Sequence, residues 1–134
     1  MTYKEKLEYF RALLERQHNE RLKRLYPNAS YEPVGVEEGY KFDKVFTILP
    51  RGIKIGRYMV ESRTGIIYGI KSWTQVNRRR QYGTLDTVDQ YSWDDGARPL
   101  PGTEAEKLHV EREAKIKAAQ KKRGRRPKSQ LLKP

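Results

Sequence analysis

Leu7, Phe10, Leu13, Leu14, Leu22 and Leu25 recur at helical spacing through a stretch rich in Glu, Lys and Arg, and Pro27-Asn28 follows as a stop. The spacing predicts an amphipathic helix over residues 3–26. The apolar stripe weakens at Gln17 and His18. The helix is therefore expected to dock by its two ends on the rest of the chain, with recognition of a partner helix by that polar step as the rival. Residues 28–39 mix Pro, Gly, Glu and Tyr without a steady period and read as a connecting loop.

From Tyr40 the texture changes to short runs of β-branched and aromatic residues. Lys41–Leu49, Ile53–Glu61 and Ile66–Ile70 are expected to be strands. Pro50-Arg51-Gly52 and Ser62-Arg63-Thr64-Gly65 separate them. Proline fixes one φ and glycine tolerates a positive one, so both segments suit tight reversals, the second as a type I turn closed by a G1 bulge. An antiparallel three-stranded meander follows. Apolar and polar side chains alternate imperfectly in the central run, so the pattern does not select the face that meets the helix.

Residues 71–95 are richer in polar and aromatic groups than in aliphatics. They read as irregular structure attached to the sheet, with a fourth short strand near Thr84–Val88 as an option. Pro99, Pro101 and Gly102 then punctuate the chain, and Thr103 with Glu106 spells a capping box. The helix it opens, Glu104–Lys122, carries only a thin apolar line of Ala105, Leu108, Ile116 and Ala119. The expected fold class is α+β. Its parts are an N-terminal amphipathic helix (1–27), a small antiparallel β domain with a basic and aromatic loop (28–98), a capped charged helix (99–122) and a disordered basic arm (123–134).

Charge adds a functional dimension to this outline. The chain has 29 basic residues against 17 acids, and residues 121–134 hold seven of the bases (Lys121, Lys122, Arg123, Arg125, Arg126, Lys128, Lys133) with no acid. Such a segment repels itself and has little to bury, so an anionic partner is expected to fix its conformation. Without it, residues 1–120 still stand at 22 − 17 = +5. A pI near 10.0 and a mean hydropathy of −0.97 describe an anion-seeking protein. With no cysteine, disulfides, thiolate metal sites and cysteine nucleophiles are excluded, and a cytoplasmic setting is expected. No signal-peptide pattern and no apolar run of membrane-spanning length is visible, so a membrane partner is not expected.

Lys121-Lys-Arg-Gly124-Arg-Arg-Pro127-Lys resembles the AT-hook, a minor-groove-binding peptide with an Arg-Gly-Arg-Pro core. Arg126 stands between Arg125 and Pro127 and displaces the exit proline by one position. The resemblance implies Arg123 and Arg125 lying along a narrow A·T-rich groove, with Gly124 against its floor. A generic polycation that neutralises phosphates is the alternative, and nuclear localisation shares the composition.

Lys71, Trp73, Arg78, Arg79, Arg80 and Tyr82 place planar rings among cations within twelve residues. Rings stack on bases while arginines follow phosphates, as single-stranded nucleic acid requires. The competing reading makes Trp73 and Tyr82 packing residues and the arginine run a solvated loop. Asp86, Asp89, Asp94 and Asp95 lie along one polar stretch without metal-ligand spacing and read as turn and capping residues, not as a Mg²⁺ nuclease site. His18 and His109 stand alone on predicted helices. No phosphate-loop or triad pattern appears, so neither catalysis nor a cofactor is expected.

Arg57 to Trp73 and Tyr82 to Thr87 resemble small basic proteins of unassigned role encoded by tailed bacteriophages. That resemblance implies an infected host cytoplasm and raises two roles, a DNA-binding accessory and a minor virion component. The expected function is non-catalytic, largely sequence-tolerant nucleic-acid binding, with DNA favoured over RNA, through the arm and the surface near 71–82. The rival is a structural or interaction protein, such as a virion component or an inhibitor of a host protein, which self-associates or meets a protein partner through helix 3–26.

Overall fold

The computed structural model describes the backbone of residues 1–94 and 96–131, and the side chains of residues 1–94 and 96–120. Helix α1 spans Tyr3–Leu25. Thr2 Oγ1 accepts from the Glu5 N–H at 3.2 Å, and the Glu5 carboxylate accepts from the Thr2 N–H at 3.0 Å. This reciprocal box satisfies two donors that the first turn leaves unpaired.

Leu7, Phe10, Leu13 and Leu14 are buried, whereas Leu25 is 49% exposed. Apolar docking is thus confined to the first half of α1, and the Gln17–His18 step begins a second half held by polar atoms. Gln17 Oε1 accepts from the Trp93 N–H at 2.6 Å, and His18 Nε2 lies 2.8 Å from Glu32 Oε1. Asn19 accepts from the Glu32 N–H at 2.7 Å and donates to the Glu32 carbonyl at 2.9 Å, as a neighbouring strand would. The polar step serves intramolecular docking.

Five strands form one antiparallel meander in chain order: β1 (Val34–Glu37), β2 (Phe42–Ile48), β3 (Lys54–Glu61), β4 (Ile66–Ser72) and β5 (Gln75–Thr84). The fold class is α+β. β2, β3 and β4 occupy the three expected runs within a residue or two at each end. β1 corrects the loop assigned to 28–39, because four residues beside Pro33 carry too little alternation to register. Side chains of α1 hold it instead, with Glu15 Oε1 accepting from the Val34 N–H at 2.8 Å and Arg11 Nη1 donating to the Val34 carbonyl at 3.1 Å. β5 corrects the irregular reading of 71–95 and replaces the short strand placed near Thr84–Val88. A long polar edge strand shows no period-2 pattern, because one of its edges and much of its surface face water.

The sheet has two distinct faces. Asp43, Val45 and Thr47 of β2 turn to one side and are at most 5% exposed. Phe10 packs there on Tyr58 of β3 (ring centroids 5.9 Å) and on Trp93 (4.8 Å, edge-on). Tyr3 Oη donates to Asp43 Oδ2 at 2.6 Å and supplies the buried carboxylate with a partner. Burial, reinforced by the nearby Tyr82, pushes the Tyr58 phenol well above its ordinary range. Phe42, Lys44 and Phe46 turn to the opposite face, following the pleat.

The reversals behave as their sequences indicate. Gly52 has φ 78° and Gly65 has φ 75°, and the Gly65 N–H donates to the Glu61 carbonyl at 2.7 Å. Arg51 is the one described non-glycine residue with positive φ, at 73°. After β5, a two-stranded ribbon joins β6 (Tyr91–Ser92) to β7 (Arg98–Pro99). The chain divides into two compact units, Met1–Arg98 and Pro99–Pro134.

In the second unit, helix α2 spans Glu104–Leu131. Thr103 Oγ1 accepts from the Glu106 N–H at 3.2 Å, while the Glu106 carboxylate accepts from Gly102 and not from the cap residue itself. The backbone stays helical beyond the expected end at Lys122 and runs through Gly124 and Pro127, the two weakest helix formers. The side chains of the arm, including Lys121, Lys122, Arg123, Gly124, Arg125, Arg126 and Lys128, lie outside the described residues, and of the arm expected to be disordered over 123–134 the backbone is described as far as Leu131, as helix.

Candidate nucleic-acid interface

Positive charge in the first unit is segregated. Residues 51–85, which cover β3, β4 and β5, hold eight basic side chains (Arg51, Lys54, Arg57, Arg63, Lys71, Arg78, Arg79, Arg80) against one acid, Glu61, a surplus of +7. The remainder of residues 1–98 holds ten basic side chains against twelve acids, a balance of −2. All eight cations of the 51–85 window are exposed, and none makes an ion pair with a described residue. Four cations of helix α1 behave in the opposite way. Lys6 pairs with Asp86 (2.6 Å), Arg11 with Glu8 and Glu15 (2.6 and 3.0 Å), Arg16 with Glu20 (4.0 Å) and Arg24 with Asp94 (3.6 Å).

The arginine triplet owes its placement to a register break. Tyr68 pairs with Gln81 and the next residue, Gly69, pairs with Asn77, so β5 advances four residues while β4 advances one. Arg78, Arg79 and Arg80 are the three residues in excess. They form a bulge that turns them off the ladder at the edge of the sheet. The side-chain carbonyl of Asn77 accepts from the Arg79 N–H at 3.2 Å and supports the bulge. Gly69 lets it fold over β4, since a Cβ at that position would lie 3.0 Å from the Cβ of Arg80. The bulge also keeps the edge from pairing with another strand.

Cations and rings interleave along the face of β2 that points away from α1. The Arg78 guanidinium lies 5.2 Å from the Phe42 ring centroid and 5.6 Å from that of Tyr68. Lys44 Nζ sits 4.0 Å from the Trp73 centroid, and Lys54 Nζ sits 4.9 Å from that of Phe46. Phe46 and Trp73 are in ring contact at 5.6 Å. Trp73 occupies the turn between β4 and β5 and is 36% exposed.

Trp73 and Arg78 thus share this face, with Arg79 and Arg80 in the adjacent bulge and Lys71 exposed near the end of β4. Tyr82 is not brought to them. Its ring packs edge-on against Tyr58 at 5.6 Å and Trp93 at 6.3 Å, on the α1 side, as the packing reading held. Sequence reasoning missed Lys44, Phe46 and Lys54. Two signals for them were available, the alternation of Phe42, Lys44 and Phe46, and the acid-poor window from residue 51 to 85.

Other parts of the first unit suit an anion less well. A cleft of about 550 Å³ between α1 and the following loop is lined by Glu15 and Glu20 as well as Arg16 and Lys23, so it has no preference for negative charge. Burial pushes the Glu15 carboxyl up, but hydrogen bonds from Tyr31 and the Val34 N–H, together with Arg11, outweigh that and hold it below the ordinary carboxylate range. Asp86 and Asp94 pair with α1 as above, and Asp89 accepts from Tyr9 Oη at 2.7 Å. These acids fasten the helix to the loops after β5, while Asp95 lies outside the described residues. Among the described residues, no cluster of three or more His, Asp or Glu side chains could hold a metal ion, and no helix is long and apolar enough to cross a membrane.

No protein-family model matches the chain, and neither a curated protein nor a solved structure matches it.

Proposed function

We propose that this protein binds nucleic acid without catalysis and largely without regard to sequence, with DNA favoured over RNA. The phosphodiester chain would be held by the cations of β3–β5 and by the arm of residues 121–134. One observation carries this reading: eight exposed cations in residues 51–85 lack carboxylate partners among the described residues, while Lys6, Arg11, Arg16 and Arg24 of α1 have them. Exposed cations crowded together repel one another, and a polyanion relieves that repulsion while releasing its own condensed counterions. Contacts of this type fix position and orientation but carry no sequence information. The preference for DNA rests on the AT-hook resemblance of residues 121–128.

The test is binding of the full chain to fluorescent duplex DNA, single-stranded DNA and RNA of equal length at 50 and 200 mM salt. Affinity is expected to fall steeply between the two conditions, by about 10⁴-fold if some eight phosphates are neutralised. Absence of binding at the lower salt, or binding indifferent to salt, contradicts the proposal.

A further inference from the structure

The row on β2 holds more than charge. Phe42, Lys44 and Phe46 share one face over four residue steps, roughly 13 Å of strand. Trp73 closes one end of this row. Lys44, itself paired with Glu37 at 3.5 Å, sits over its indole, and the Phe46 ring leans against it. These contacts hold the indole in one orientation, so little side-chain freedom is lost when a ligand arrives. About a third of the residue remains in water. Lys54, exposed and free of any ion pair with a described residue, stands beside the same ring pair.

Resting on the nucleic-acid reading above, we propose that Trp73 is a stacking platform for an unpaired base, with Lys54 and Arg78 placed for the phosphates on either side. An indole offers its face to a base of any identity, which agrees with sequence tolerance. In a duplex the base faces are already stacked on their neighbours, so this site selects single-stranded nucleic acid. Charge complementarity supports that occupant over a protein partner, because Lys44, Lys54 and Arg78 lie at the rings of this row and only Lys44 is paired with a described acid, Glu37.

The protein is well suited to a direct test, because it has two tryptophans and only one is accessible. Trp93 is 2% exposed and donates its indole N–H to the Val88 carbonyl at 2.9 Å. Titrating the full chain with a short oligothymidylate at low salt should quench the Trp73 part of the emission, while a duplex of the same length should leave it unchanged. Trp73→Ala should abolish the quench and weaken oligothymidylate binding by about 5- to 150-fold. Trp73→Phe should keep part of that affinity, and unchanged Trp93 emission reports that each variant is folded.

Three outcomes overturn the proposal. They are oligothymidylate binding with no change in emission, binding by Trp73→Ala as tight as the parent's, and equal loss of duplex and single-strand binding in that variant. In each of these the broader nucleic-acid reading survives. Failure of every oligonucleotide to bind removes both.

Discussion

Removing residues 121–134 is expected to flatten the salt dependence of duplex DNA binding by about 4 to 5 in the slope of log K against log salt. Each phosphate neutralised on B-DNA contributes roughly 0.9 to that slope, and the seven basic residues of the segment are expected to provide about five such contacts. The residual slope belongs to the cations of β3–β5. Because the first unit, Met1–Arg98, holds the helix and sheet core, the truncated protein should melt at nearly the parent temperature. Fluorescence anisotropy across a salt series gives the slope, and an unchanged slope and affinity remove the arm from the mechanism.

The second large effect concerns the scaffold that presents the cations. Phe10 is fully buried and its ring is in edge contact with Trp93 at 4.8 Å and near Tyr58 at 5.9 Å. Phe10→Ala is expected to lower stability by about 3–5 kcal/mol through lost transfer energy and a residual cavity. Edge-to-face ring pairs add about 0.5–1.5 kcal/mol beyond buried area, so the upper half of that range is expected. Leu108→Ala, at a side chain 53% exposed on α2, serves as the comparison and should change stability by about 0.5 kcal/mol or less. Urea unfolding of both variants decides the matter. A loss below about 1 kcal/mol for Phe10→Ala would mean that α1 is not locked on the sheet by this cluster.

How much of this was legible follows from which physical signals the sequence expresses. The first half of α1, β2, β3 and β4 bury side chains at a fixed period, so Leu7 through Leu14 and the runs ending at Leu49, Glu61 and Ile70 announce themselves. β1 and β5 lack that signal for different reasons. Val34–Glu37 is held by Glu15 and Arg11 of α1, contacts that no local pattern records. Gln75–Thr84 is an edge strand broken by a three-residue bulge, which destroys alternation at the point where the arginines stand.

The candidate site divides along the same line. Composition drew attention to Arg78–Arg80 and Trp73, but the bulge determines which rings lie near them, and it sends Tyr82 into the aromatic cluster on the α1 side. Lys44 and Lys54 come to the site only through pairing of β2 with β3 and return of the β4–β5 turn over Phe46. Those are relations between strands, and no window of sequence contains them.

The central claim is that unpaired cations, and not net charge alone, grip the polyanion. It is tested most directly by comparing two triple variants that each lower the charge by three: R78Q/R79Q/R80Q at the β5 bulge, and K6Q/R16Q/R24Q on α1, which removes three cations that are already ion-paired. Exposed pairs of the latter type contribute about 0–1 kcal/mol each, so both proteins should fold. Salt-dependent binding to one oligonucleotide should show the β5 variant losing about 2 to 3 from the slope, with a matching fall in affinity, while the α1 variant stays near the parent. Equal losses in the two variants, or no loss in either, would contradict the account.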